Sequence, residues 1–267
     1  LNIPYTIAIT GKGGTGKTTI AASLIACLIK GGHAPVLAVD ADPNSCLDQA
    51  LNVRVKKTVG QIREESRDAG AGQPGGISKR ELIELRIAEC LVEADDFDLI
   101  AMGRPEGPGC YCYANSLFRD VIAELSKAYP FIVIDNEAGL ENLSRRLYRK
   151  INLLVIAGDP SKRGIETVRR LYRLAKEMEI EYETLAVVIN LVREGSMMED
   201  PTGMIRDMGA DCLVTLPFDD EIARAAETGQ GIHTVQMSNP VLSGMKRFVS
   251  RLNLAGEKVR GKKSETG

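Results

Sequence analysis

Two short segments carry residues whose spacing points to chemistry. The first is "GKGGTGKTT", residues 11 to 19, which fits G-x-x-x-x-G-K-[ST] and stands between an apolar, strand-like run and a helical pattern. Glycines at such a place let successive backbone N–H groups curve around phosphate oxygens, and the helix that follows offers its positive end. Gly11, Lys12, Gly13, Gly14, Thr15, Gly16, Lys17, Thr18 and Thr19 are therefore expected to wrap a nucleotide's phosphates. Lys17 should reach the β- and γ-phosphates, and Thr18 should ligate Mg²⁺. The second segment is "GRPEGPGCYCYAN", residues 103 to 115, in which Cys110 and Cys112 flank one tyrosine in a turn-rich stretch.

Carboxylates follow other strand-like runs. "VDADPNS" supplies Asp40 and Asp42, and "VIDNEAG" supplies Asp135, with Gly139 four residues on. Phosphoryl transfer asks for positioning and charge stabilisation more than covalent chemistry, so carboxylates that orient water and Mg²⁺ suffice. The inventory of two histidines is no obstacle. An aspartate after a strand also commonly caps a helix, which is the competing role for each of these. Asn190 in "VINLVR" and Pro217 and Phe218 in "TLPFDD" stand at two further strand ends.

The elements that must position these residues are legible as alternation. Tyr5 to Thr10, Val36 to Asp40, Asp98 to Met102, Phe131 to Asp135, Leu153 to Ala157, Leu185 to Asn190 and Cys212 to Leu216 are β-rich runs separated by helical patterns. That alternation predicts an α/β fold of three layers, a mostly parallel central sheet with helices on both faces and ligands at the carboxyl ends of the strands. A composition of 44% hydrophobic residues with 4% aromatics and no Trp suits buried parallel strands of Val, Ile, Leu and Ala. A helical segment is expected from about Lys79 to Glu93, after a loop "AGAGQPGG" at 69 to 76. Val241, Leu242, Met245, Phe248, Val249 and Leu252 recur at helical spacing and predict a final helix on the core. Residues 1–254 read as one phosphate-loop ATPase domain, and 255–267 as a solvated tail.

A net charge of -2 gives no global attraction to nucleic acid or an anionic membrane, so neither is expected as a partner. The first residues, "LNIPYTIAIT", lack a basic region followed by an apolar one, and no run reaches membrane-spanning length, which predicts a cytoplasmic protein. In that compartment cysteines are buried fillers, metal ligands or redox groups before they are disulfides. Cys27 and Cys90 fall in helical patterns and Cys212 in a strand, so they read as small buried hydrophobes. Cys46 has no sequence partner, and His33 and His233 are isolated.

The K-G-G-x-G-K-T form of the loop resembles the deviant phosphate loop of the MinD, ParA and nitrogenase iron-protein superfamily. In that superfamily the extra lysine, here Lys12, reaches the partner's nucleotide across a homodimer. The resemblance implies ATP-dependent dimerisation, with Lys12, Lys17 and Asp42 catalytic, Asp42 aligning the attacking water. It also implies that Asp135 holds magnesium through water, that Asp40 supports the ion, and that Gly139 offers its N–H to the γ-phosphate. Asn190, Pro217 and Phe218 would form the adenine pocket.

"MGRPEGPGCYCYAN" with "DNEAGLENLSRR" resembles the CooC family, accessory ATPases that support nickel insertion into carbon monoxide dehydrogenase, and its acetyl-CoA synthase relatives. The likeness extends from the phosphate loop through the final helix. It implies a metallochaperone or maturation ATPase whose client is one of those enzymes. A single C-x-C offers two thiolates where Zn²⁺ takes four ligands, so two copies of Cys110 and Cys112 at a dimer axis would complete a site. Ni²⁺, Zn²⁺ and an iron-sulfur cluster all stay open, as do a purely structural role and a redox pair. Two rivals stand beside this reading: an iron-sulfur reductase of the nitrogenase iron-protein type, and a positioning ATPase of the MinD or ParA type. The reductases take a further cluster cysteine from the stretch after the second switch, and "DNEAGLENLSRR" contains none. Membrane positioning needs an amphipathic terminal helix, whose apolar face "GEKVRGKKSETG" lacks.

Overall fold

The structure is a computed structural model that describes residues 3–61, 79–104, 111–144, 150–195, 203 and 207–252. Eight strands form one sheet: β1 (Tyr5–Gly11), β2 (Val36–Asp40), β3 (Val92–Glu93), β4 (Phe97–Ala101), β5 (Phe131–Asp135), β6 (Ile151–Gly158), β7 (Tyr182–Val192) and β8 (Cys212–Pro217). Their spatial order is β3-β4-β2-β5-β1-β6-β7-β8, parallel except that β3 pairs antiparallel with β4. The expected helix over 79 to 93 ends at Cys90, and Val92–Glu93 instead forms the edge strand β3 against Asp98 and Leu99. A two-residue strand leaves no period to read in sequence.

Because side chains alternate across a strand, each central strand feeds two cores. Ile7 and Ile9 of β1, with Leu153 and Val155 of β6, pack under α1 (Lys17–Lys30), α2 (Leu47–Ala50) and the C-terminal helix Pro240–Arg251. Ala8, Leu154 and Ile156 face the opposite layer, covered there by the helix Lys162–Glu177. Further along the same face Leu37, Val39, Ile132 and Ile134 pack against Phe118, Val121 and Ile122 of the helix Tyr111–Leu125. These are the three layers the alternation predicts. In chain order the remaining helices are α3 (Lys79–Cys90), α4 (Tyr111–Leu125), α5 (Glu141–Ser144), α6 (Lys162–Glu177), α7 (Asp220–Thr228) and α8 (Pro240–Arg251).

The six apolar positions assigned to the final helix are all buried, five within α8 and Leu252 directly after it. Asn239 caps α8 by accepting from Val241 N at 2.9 Å, and Pro240 occupies its first turn. Cys27 and Cys90 are buried as expected, whereas Cys212 on edge strand β8 is only half-buried. The stretch 69–76 and the tail 255–267 lie outside the described residues. No described helix is long and apolar enough to cross a membrane.

Register brings the chemistry to one edge. Asp135 pairs with Ile9 on one side and Asp40 on the other, and Gly11 pairs with Ala157 of β6. The ends of β2, β5 and β1 therefore present Asp40, Asp135 and the phosphate loop side by side.

Candidate functional site

The loop from Gly11 to Gly16 leaves β1 and enters α1 through Gly16, whose φ of 78° lies in the left-handed region. No side chain caps α1, and its first turn holds no acidic residue. An uncapped helix start presents N–H groups and the positive end of the helix dipole to whatever enters the loop. Three donors converge on the Lys12 carbonyl: Thr15 Oγ1 at 2.8 Å, Thr15 N at 3.4 Å and Lys17 Nζ at 3.4 Å. Lys17 is buried, whereas Lys12 is exposed. The loop thus holds itself shut through one carbonyl, and Lys17 has to leave that oxygen to meet a phosphate.

Beneath the loop, Thr18 Oγ1 donates to Asp135 Oδ2 at 2.6 Å. Asp135 is 2% exposed and its Oδ1 is buried with no hydrogen-bond partner. Burial pushes its carboxyl up to about 6; the Thr18 hydroxyl and Lys17 ammonium pull downward and Asp42 adds to the rise. Asp40, 1% exposed, is pushed up to about 7 by burial and then by Asp135, against the N–H groups of Leu47 and Asp42. A buried orphan carboxylate oxygen beside a threonine hydroxyl is a pair of hard oxygen donors, the kind Mg²⁺ takes. The residues present fit that ion.

These shifts fix a sign for stability. Both carboxyls hold protons more tightly folded than unfolded, so their contribution falls as pH rises from the ordinary carboxylate range through about 7. The ligand-free protein should melt at a higher temperature at pH 6 than at pH 8 in scanning calorimetry. An Asp40→Asn, Asp135→Asn double variant should lose most of that difference.

Asp40 accepts from Asp42 N at 3.1 Å through Oδ1 and from Leu47 N at 3.0 Å through Oδ2. Its carboxylate therefore shapes the turn that carries Asp42. Asp42 is half-buried, and its Oδ1 accepts from Asn44 N at 2.8 Å and Asn44 Nδ2 at 3.1 Å. Gly139 has a φ of 98°, and its N–H lies 3.3 Å from Gly11 O while its carbonyl accepts from Thr10 Oγ1. The Gly139 amide is thus committed to the loop.

Asparagines missed in sequence tie these pieces together. Asn142, 2% exposed on α5, donates from Nδ2 to Ala41 O at 2.8 Å, joining the Asp135 segment to the Asp42 turn. Asn136 donates through N and Nδ2 to Ile9 O, at 3.2 and 3.0 Å, and its Oδ1 is buried without a partner. An asparagine just after a strand reads locally as a turn residue, and its partners are more than 100 positions away.

Asn190 is 2% exposed at the end of β7, and its Nδ2 donates to Thr15 O at 3.0 Å. In this arrangement it braces the loop from below. Pro217 pairs with Val192, Phe218 N donates to Val192 O at 2.8 Å, and the Arg193 guanidinium lies 4.4 Å from the Phe218 ring centre. A cation over an aromatic face is attractive. Pro217, Phe218 and Arg193 thus form one cluster two residues beyond Asn190, and Arg193 is its unforeseen member.

Cys110 lies outside the described residues. Cys112, expected in a loop, is in the first turn of α4. Among the described residues no group of three or more His, Cys, Asp or Glu side chains could hold a metal ion. The approach to that segment is well fixed: Met102 N donates to Asp40 O at 2.8 Å and Gly60 N to Met102 O at 2.9 Å. Gly103 follows with a φ of 65°, packed so closely on Thr58 that a Cβ would lie 2.2 Å from its hydroxyl oxygen.

Residues 6–232 match the CbiA family, the CobQ/CobB/MinD/ParA nucleotide binding domain. An uncharacterized ATP-binding protein of Methanocaldococcus jannaschii is 39% identical over 248 residues, 92% of this chain and 97% of that protein. The carbon monoxide dehydrogenase accessory protein CooC of Rhodospirillum rubrum is 31% identical over 240 residues, 84% of this chain and 87% of its own length. In fold, a ParA family ATPase from Chlorobium tepidum superposes with a TM-score of 0.72 at 20% identity, covering 95% of this chain and all of that one. With its phosphate loop, its Thr18–Asp135 pair and its eight-stranded sheet, the chain belongs to the CobQ/CobB/MinD/ParA nucleotide-binding family.

Proposed function

We propose that this chain is an ATP-driven homodimer switch that serves the maturation of a nickel enzyme, with carbon monoxide dehydrogenase or acetyl-CoA synthase as the client class. The observation that carries the switch is the Thr18–Asp135 contact at 2.6 Å under a K-G-G-x-G-K-T loop, with Asp135 Oδ1 left open. The likeness over 240 residues to a carbon monoxide dehydrogenase accessory protein supports the client, as does the C-x-C pair.

ATP enters by its phosphates. Lys17 exchanges the Lys12 carbonyl for β- and γ-oxygens, and the start of α1 supplies N–H groups. Thr18 and Asp135 would hold magnesium, which when bound offsets charge on the β- and γ-phosphates. Gly139 N–H leaves Gly11 O for the γ-phosphate, Asp42 aligns the attacking water, and exposed Lys12 reaches the nucleotide of a second copy. Closing the dimer brings two copies of Cys110 and Cys112 together with Ni²⁺ or Zn²⁺ between them, and hydrolysis releases that arrangement.

Anaerobic native mass spectrometry with and without a non-hydrolysable ATP analogue tests this. The analogue should convert monomer to a dimer carrying one metal ion, and Cys110→Ala should give the dimer without it. Unaltered metal stoichiometry in Cys110→Ala sinks the thiolate bridge. A reducible [4Fe-4S] signal from the dimer would replace the reading with an electron-transfer one.

A further inference from the structure

We propose that a hollow at the amino-terminal edge of the sheet, between α1 and α8, binds an amphiphilic carboxylate: an apolar chain or ring with one anionic head. The hollow measures about 590 Å³ and opens where α1 ends at Lys30 and Gly31, where β5 begins at Phe131, and beside Val249 and Ser250 of α8. It lies at the end of α1 opposite the phosphate loop, so nothing described for the nucleotide site uses it.

Its chemistry divides into a floor and a rim. Cys27, Phe131, Met237, Val249 and Leu252 make an apolar floor, and the His33 ring stands 5.0 Å from the Phe131 ring, tilted by 60°, as one wall. The Cys27 thiol donates to Leu242 O at 3.6 Å and burial pushes it up to about 12, so it is neutral and counts with the floor. Lys246, an exposed residue of α8, also lines the hollow and supplies one ammonium at its rim. Lys30 supplies a second ammonium at the rim.

Among the described residues no aspartate or glutamate lines the hollow, and neither Lys30 nor Lys246 makes an ion pair. Two uncommitted cations above an apolar floor match one anion on an apolar body, and the volume falls in the range of about 300 to 1,000 Å³ typical of small-molecule sites. A smaller hollow of about 190 Å³ shares Lys30, but Asp95 and Asp96 line it and would repel a carboxylate. The anion is thereby confined to the larger one. Water in the larger hollow meets few polar partners, so an apolar chain that displaces it gains by burial.

Isothermal titration calorimetry of the full chain with decanoate, below its micelle concentration, tests the proposal. Decanoate should saturate at one per chain, and octanoate, two methylenes shorter, should bind roughly 16-fold more weakly, from about fourfold per buried methylene. Decyltrimethylammonium should not bind, and 1-decanol should bind at least tenfold more weakly than decanoate. Lys246→Glu should weaken decanoate at least tenfold, and exposed Ser250→Trp, which fills the opening, should abolish it with an unchanged circular dichroism melt. Failure of decanoate to saturate, equal affinity for the cation or the alcohol, or unchanged binding in Lys246→Glu would each overturn the assignment. The measurement involves no nucleotide and stands or falls apart from the ATP-switch reading.

Discussion

Gly16→Ala should cost at least about 100-fold in nucleotide affinity, measured with a fluorescent ATP analogue, while leaving the chain folded. Gly16 holds a φ of 78°, where an L side chain costs about 1–2 kcal/mol. A Cβ there would also lie 2.3 Å from Asn190 Nδ2, the group that donates to Thr15 O. The neighbour is buried and already bonded, so it cannot swing aside without releasing the loop. A loop without ligand can shift to relieve both costs, whereas a loop wrapped on a phosphate has to keep this geometry, so the costs fall on the bound state. Gly14 makes the control: its φ is 80°, but a Cβ there meets nothing within 4 Å. Gly14→Ala should therefore show the backbone cost alone and lose clearly less. Equal losses for the two variants would remove the Asn190 brace from the account.

Asp42→Asn should keep ATP binding within about threefold of the parent and lower turnover by about 10² or more, the usual size for loss of a group that positions or activates a nucleophile. The turn should survive, because an asparagine Oδ1 can still accept from Asn44 N and Nδ2 as the carboxylate does. Asp40, which shapes that turn, is untouched. Phosphate release under saturating ATP and an independent affinity measurement separate the two quantities. Turnover close to the parent would discard the water-positioning role.

Most of the sheet could be read before its coordinates because parallel strands buried on both faces leave continuous apolar runs. The run at Val36 to Asp40 matches β2, and the run at Phe131 to Asp135 matches β5. The phosphate loop was legible for a different reason: its glycines and lysines are neighbours in the chain. What stayed hidden was pairwise and distant. Thr18 and Asp135 are 117 residues apart, and Asn190 and Thr15 are 175 apart. No local pattern says that Asn190 turns its amide under the loop or that the Gly139 amide rests on Gly11. The edge strand Val92–Glu93 was hidden for want of length, and the helical start at Tyr111 because glycine and proline just before it read as turn.

Asp40 takes part in three contacts of different kinds. Its side chain holds the turn of Asp42, its carbonyl takes the amide of Met102, and its backbone lies in β2 between β4 and β5. Close-packed interiors deform little, so a displacement imposed on this strand end is passed on rather than absorbed. Asp40 is in that sense a hinge pin shared by two arms, the turn of Asp42 and the chain that continues from Met102 to Gly103. On the switch proposed above, so short a linkage leaves little slack in which hydrolysis at one arm could go unfelt at the other.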